Sequence, residues 1–404
     1  MCYAEISFMK DVVHTRIVRR LAPLYIAAFF HGFVLWYAIE KLFMHQIGFN
    51  DAGIGVMVAA YSVVVLLCET PSGILADRWS RKGVLMLASG ILALSGLMCG
   101  LSTEPGVYIA GALVWGVFYA LYSGTYDSVI YDVVKEETGS GEAYDKYFGR
   151  FRMVDSAALV LGALCGGVIG EWLGLPATYF FSVPLAFISV VALWKFVEPQ
   201  LHKEDANENM LAHVKETFKL VLGRRQLLPL VILLTVLYLI AEILYEFAQL
   251  WYIALDTPAA FMGPAFAVVL AASGLSGFLA GVVATHSRKL IVGTYVALIA
   301  SSVALVFVPQ IIVVVAAEFI LAVAFIGLEI ITKRDLHDQL PSRVRAGASS
   351  ALGTTSRLLL VPIGLLFGWL SAQYSVFNAA WVLVVLSVVA LVLELTRPKL
   401  APKG

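Results

Sequence analysis

Glu242 and Glu246 stand four residues apart in the run LPLVILLTVLYLIAEILYEFAQLWYIAL, which carries no other charge. On a helix that spacing puts both carboxylates on one face, with Tyr238 a turn earlier and Gln249 close to the same angle. Two carboxylates this close repel each other, and a low-dielectric cavity disfavours the charge on both, so the pair is a candidate proton or cation site. The other reading is a pair neutralised by Arg357 that only holds helices together. Arg357, in TTSRLLLVP, has no acid in its own run and needs an anionic partner elsewhere. The span-seven pair, Glu318 with Glu329, and Asp127 are all open to it. Arginine there either binds an anionic solute, holds a carboxylate charged until a proton displaces it, or simply neutralises Glu318. Tyr119, Tyr122 and Tyr126 recur at helical spacing beside Asp127 in a further run. Aromatic walls with one acid suit an amphipathic or cationic ligand, with the first two tyrosines read as packing and Tyr126 and Asp127 as cavity-lining. His31 and Trp36 lie in the first apolar run with Glu40 and Lys41 near its end. An ideal helix sets His31 and Glu40 on opposite sides, so both line one cavity only if that helix breaks.

The elements that carry these residues are set by composition. Of 404 residues 60% are apolar and 14% charged, with a mean hydropathy of +0.87, which is enough for about twelve membrane crossings of about 20 residues each. Runs fall at roughly 21–45, 52–75, 84–101, 106–133, 153–174, 177–197, 227–254, 261–284, 290–308, 311–332, 346–371 and 376–395. Backbone groups in hydrocarbon must be satisfied within the segment, and these runs do not alternate as barrel strands do, so the fold is an all-α membrane protein of twelve helices. With the N-terminus inside, 26 of the 28 Lys and Arg fall on the cytoplasmic side, the exceptions being Lys41 and Arg357. The domains follow: 1–20 an N-terminal cytoplasmic segment, 21–197 a six-helix bundle, 198–225 a linker, 226–395 a second bundle and 396–404 a cytoplasmic tail. Within the linker, 210–222 has helical spacing suited to the membrane surface as well as to a solvated chain. The first twenty residues lack the features of a signal peptide.

The balance of 28 basic and 28 acidic residues gives no electrostatic case for a nucleic-acid partner. Four scattered cysteines form no metal or redox motif. No phosphate loop, nucleophile elbow or H-E-x-x-H is present, so neither enzyme activity nor a cofactor or metal site is expected. The halves repeat: GILADRWSRK from Gly73 overlies GVVATHSRK from Gly281 at an offset of 208, and the same shift lays YAIEKLF from Tyr37 over YEFAQLW from Tyr245. Parallel repeats place a solute site near the midplane between the halves.

In these features the chain resembles the major facilitator superfamily over essentially its whole length. Gly73, Asp77, Arg78, Arg81 and Lys82 fit that family's loop between spans two and three, with Ser80 in place of its second glycine and Thr285 in place of the acid in the second copy. The resemblance implies two pseudo-symmetric six-helix bundles and a cytoplasmic gate of Asp77 and the loop residues, joined by Glu69. Asp77 would meet helix N-terminal amides near Ala346. The basic residues also serve topology alone. GALCGGVIG, Gly162 to Gly170, is similar to the glycine-rich stretch of the family's antiporters, with Gly167 where a proline is usual, and reads as packing. The arginine that antiporters carry in span four is absent between Gly106 and Val134. The function expected is secondary active transport of a small amphipathic or cationic solute by alternating access, as proton-coupled efflux. Nutrient uptake with protons and a non-transporting receptor or scaffold are the alternatives. A multi-pass monomer in the plasma (bacterial inner) membrane, with protons and the solute as partners, completes the expectation.

Overall fold

The computed structural model describes the backbone of residues 2–199, 227–284, 288–340 and 342–397, and the side chains within those ranges except 2–11, 77, 273–284 and 342–350. Among the described residues every regular element is an α-helix. Ten are long and apolar enough to cross a membrane. Spans one and eight of the expected twelve are not among these ten. Span one is interrupted, Cys2–Gly32 giving way at 33–39 before Glu40–Gln46. Span eight, Ala259–Ala284, carries described side chains only over its first half. Span four is a helix pair, Pro105–Ser123 and Thr125–Thr138, whose end is marked by Gly139 in the left-handed region, φ 73°. The expected surface segment 210–222, Thr285 and the tail beyond Arg397 lie outside the described residues.

The described residues cluster into two compact units, Met1–Ala38 with Val64–Glu208, and Ile39–Val63 with Asn209–Gly404. In the first, Leu21, Leu24 and Ala28 of span one pack on Tyr126, Val129, Ile130 and Val133 of span four, with Phe151 and Leu193 closing the cluster. In the second, Leu227, Leu230 and Leu234 of span seven (Leu228–Ala254) meet Leu336, Leu340 and Leu352. The outer piece of span one and the start of span two, 39–63, belong to this second unit. There span two lies so close to span eleven (Ser342–Gln373) that a Cβ on Gly55 would fall 2.8 Å from the Gly364 carbonyl oxygen, and one on Gly368 would fall 2.7 Å from that of Asp51. Small residues at such a crossing let two backbones touch without a hydrophobic driving force. Asp51 fastens the same crossing, accepting from the Ser371 hydroxyl at 2.5 Å and lying 2.8 Å from His45 Nε2.

The break in span one has a seat. The carbonyl of Val34 abuts Gly162 of span five (Tyr144–Leu173), and that of Leu35 abuts Gly166. Ser182 of span six (Leu175–Trp194) donates no support to a carbonyl there but accepts the Leu35 amide N–H at 3.2 Å. Non-helical backbone at membrane depth persists only where protein satisfies it, and these two spans supply that shelter.

Candidate functional site

Span seven is buried nearly all round. Between Leu233 and Tyr252 the residues that keep partial access are Tyr238, Glu242, Tyr245 and Glu246, so the expected polar stripe is the one open face of that stretch. Its fourth expected member, Gln249, is buried and does a different job. Its Oε1 accepts the backbone N–H of Lys41 at 2.9 Å, satisfying a first-turn amide that has no partner within its own short helix. The Lys41 ammonium lies 2.8 Å from Glu40 Oε2 and 3.3 Å from Glu246 Oε2. With a relative exposure of 1%, Lys41 is sealed in rather than extended toward headgroups. Arg357 is the strongest attractive charge on Glu242 and also acts on Glu246. Of the partners open to Arg357, the span-seven pair is one on which its charge acts.

The other candidates go elsewhere. Glu318 is fully buried in span ten (Ile311–Asp338), where Tyr252 donates a short hydrogen bond to its Oε2 and its Oε1 has no partner among the described residues. Glu329 is paired one turn along its own helix with Lys333 at 2.6 Å. His31 is a hydroxyl-satisfied histidine, 2.7 Å from Ser89 Oγ and 2.9 Å from Tyr126 OH, with Ser189 donating to Ser89 behind it. Trp36 stacks on Tyr179 at 5.2 Å and meets Trp115 edge-on at 4.8 Å. The expectation that Asp127 lines a cavity with Tyr126 is corrected. One helical step of about 100° from a buried Tyr126 turns Asp127 outward, where it is exposed and accepts from Tyr144 at 2.5 Å. The acid that meets the tyrosines is Asp155 of span five, 2.7 Å from Tyr122 OH. Sequence reading missed it because it falls at the third position of the run placed at 153–174, whereas the helix begins nine residues earlier, at Tyr144.

At the end where Lys and Arg gather, the loop residues have definite partners. Arg81 forms an ion pair with Asp132, which is 2% exposed. Glu198, at the end of span six, takes up the N-terminus of span three (Arg81–Gly100): its carboxylate accepts from Ser80 Oγ at 2.7 Å and from the Arg81 and Lys82 amides at 2.5 and 3.3 Å. A carboxylate on helix N-terminal amides is favoured by unpaired donors and by the helix dipole. The sequence assigns this chemistry to Asp77, whose side chain lies outside the described residues, as does that of Ala346. Lys82 Nζ binds the carbonyls of Trp194 and Phe196, whereas Arg78 is exposed. Glu69 makes no link to Arg152 among the described residues; its carbonyl accepts from Ser72. A Cβ on Gly73 would meet nothing within 4 Å. Gly73→Ala is accordingly expected to leave thermal stability unchanged or raise it by up to about 1 kcal/mol through helix propensity. Unfolding of the purified variant in detergent checks this, and a lower midpoint contradicts it.

One cavity, of about 600 Å³, has none of these charged residues in its lining, which includes Asp256. It is an apolar trench in the second unit, walled by Leu255, Phe261, Val268, Ile312 and Phe319.

The sequence profile described as Major Facilitator Superfamily matches residues 21–364. The chain belongs to the Major Facilitator Superfamily. Among relatives in that superfamily, Multidrug resistance protein 2 of Bacillus subtilis is 24% identical over 46% of this chain and 45% of its own length. The Staphyloferrin B transporter of Staphylococcus aureus is 24% identical over 48% and 44%, and a Probable sugar efflux transporter of Helicobacter pylori 23% identical over 60% and 59%. The chain thus spans about half the length of the curated relatives it matches. Solved superfamily structures share the fold: the nucleoside transporter NupG, at a TM-score of 0.74 and 16% identity, covering 93% of this chain and 97% of that one, and the D-xylose-proton symporter, at 0.70 and 14%, covering 95% and 99%. Membership agrees with the ten helices among the described residues that are long and apolar enough to cross a membrane.

Proposed function

We propose that the protein is a secondary active transporter that expels a small amphipathic or cationic solute in exchange for protons by alternating access. It sits in a bacterial plasma membrane as a monomer with both termini cytoplasmic. The observation that carries this reading is the charge inventory of the cluster on span seven. Among the described residues three carboxylates, Glu40, Glu242 and Glu246, face two cations, Lys41 and Arg357, while Glu329, which also acts on Glu242, is paired with Lys333. Buried charge without a counterpart is costly, so a cluster one positive charge short is a place for one proton or one cationic group. Protonating Glu246 weakens its hold on Lys41 and so loosens the contact between span seven and the 40–46 helix. A proton thereby reaches the packing of the very elements that interrupt span one. The 26 basic residues on one side support the inside position of the termini. The loop held by Asp132 and Glu198 is read as part of the cytoplasmic gate, with Asp77 as its acid. Relatives named for multidrug resistance and sugar efflux support export as the direction.

Reconstitution into proteoliposomes with ethidium inside and a pH jump across the membrane tests this. Ethidium release that exceeds empty vesicles and is abolished by a protonophore is expected. Movement that ignores the pH gradient, or none above empty vesicles across a panel of organic cations, overturns it.

A further inference from the structure

The first unit holds a second acid that the span-seven cluster does not use. Asp155 is partly exposed, and among the described residues its one hydrogen-bond partner is Tyr122 OH at 2.7 Å. Among the described residues no lysine or arginine forms an ion pair with it; Arg152, a turn earlier on the same helix, is exposed and acts at longer range. The carboxylate lies against the residue where span one stops being helical. A Cβ on Gly32 would fall 2.9 Å from Asp155 Oδ1 and 3.2 Å from its carbonyl oxygen, so glycine is what admits it there.

From Tyr122, whose hydroxyl meets this acid, the rings run on as a continuous ladder: Tyr122 to Tyr126 at 5.0 Å and to Phe118 at 5.5 Å, Phe118 to Trp115 at 4.8 Å, Trp115 to Trp36 at 4.8 Å, and Trp36 to Tyr179 at 5.2 Å. Trp115 and Tyr122 keep part of their surface open, whereas Phe118 and Tyr126 are buried behind them. Both ring nitrogens of His31 are taken up by Ser89 and Tyr126, so it donates no hydrogen bond to the carboxylate. A partly accessible carboxylate without a cation among the described residues, at one end of a ladder whose Trp115 and Tyr122 keep open surface, attracts a weakly hydrated positive charge through its own charge and through the ring quadrupoles. It offers nothing to an anion and little to a neutral sugar.

We propose that Asp155, with Tyr122 and Trp115, is the anchor for the charged group of the solute, and that the solute is an organic cation bearing an aromatic or bulky apolar body. This deepens the transport reading and rests on it for the word solute, but the binding claim is tested separately. Binding of tetraphenylphosphonium and of its neutral analogue triphenylphosphine oxide is measured on the purified full chain, beside Asp155→Asn, Asp155→Glu and Tyr122→Phe, each first checked for its unfolding midpoint. Expected is a loss of at least about tenfold in tetraphenylphosphonium affinity in Asp155→Asn, substantial retention in Asp155→Glu, and unchanged binding of the neutral analogue. Equal loss of both ligands, or tetraphenylphosphonium binding at wild-type affinity in Asp155→Asn, overturns the assignment. If Asp155→Asn fails to fold, a Tyr122→Phe variant that folds and binds the cation and the neutral analogue with unaltered preference overturns it instead. Ethidium flux driven by pH with charge-indifferent binding would sink this site and leave transport standing. Charge-selective binding without flux would do the reverse.

Discussion

Lys41→Met is expected to destabilise the protein by about 3–5 kcal/mol, the range found when one partner of a buried ion pair is removed. Methionine keeps the length and apolar stem of lysine but leaves Glu40 and Glu246, with side-chain exposures of 11% and 18%, facing each other without the ammonium that lies 2.8 and 3.3 Å from them. Gln249 still accepts the residue-41 amide, since that bond comes from the backbone, so the loss reports charge alone. Adding Glu246→Gln to Lys41→Met should recover part of it, because the second substitution removes one of the stranded carboxylates. A coupling of about 0.5–3 kcal/mol between the two sites is the expected size for residues in one network. Unfolding of the single and double variants in detergent measures this. Additive losses would show that Lys41 and Glu246 are not energetically linked.

Gly166→Ala is the second large effect. The added Cβ would lie 1.7 Å from the Leu35 carbonyl oxygen, a separation no side chain can occupy, and the neighbour is backbone. Either span five moves away from the interrupted stretch 33–39 or that stretch leaves its seat. In both cases Val34, Leu35 and Trp36, each 5% exposed or less, lose their packing. Overpacking in a filled interior costs about 1–3 kcal/mol and more where backbone must shift. Gly162→Ala, whose Cβ would come to 2.8 Å from the Val34 carbonyl oxygen, should be milder. Expression of folded, monodisperse protein ranks the two, with Gly166→Ala the poorer. Equal stability of both variants and wild type would mean that the glycines do not hold the break.

The membrane fold was legible because apolar runs of this length admit few solutions, and the positions of 26 basic residues oriented them. The stripe of Glu242 and Glu246 was legible for the same reason, two charges one turn apart in an otherwise apolar helix. What the sequence withheld depends on the interruption of span one. Helical geometry said only that His31 and Glu40 diverge unless the helix breaks; it does break, over 33–39. No local signal marks it, since the glycines that make room for it, Gly162 and Gly166, lie four spans away and looked like ordinary packing residues. Without the break Lys41 belongs at a membrane end; with it, the ammonium turns inward to Glu246. Asp155 was hidden by a boundary: helices here run past the hydrocarbon, so an acid placed at the start of a span lies eleven residues inside one. Glu198 was read as the first residue of a linker, and nothing in its neighbours tells that it serves the N-terminus of span three.

The coupling role proposed for the carboxylates on span seven is tested most directly by measuring two activities of Glu242→Gln and Glu246→Gln in the same proteoliposomes. One is pH-driven ethidium release and the other is exchange of ethidium across the membrane at equal pH on both sides. The structure predicts that both variants keep exchange and that at least one loses release, since amides preserve shape and hydrogen bonding but hold no proton. Release unchanged in both variants, or release and exchange lost together in both, would contradict it.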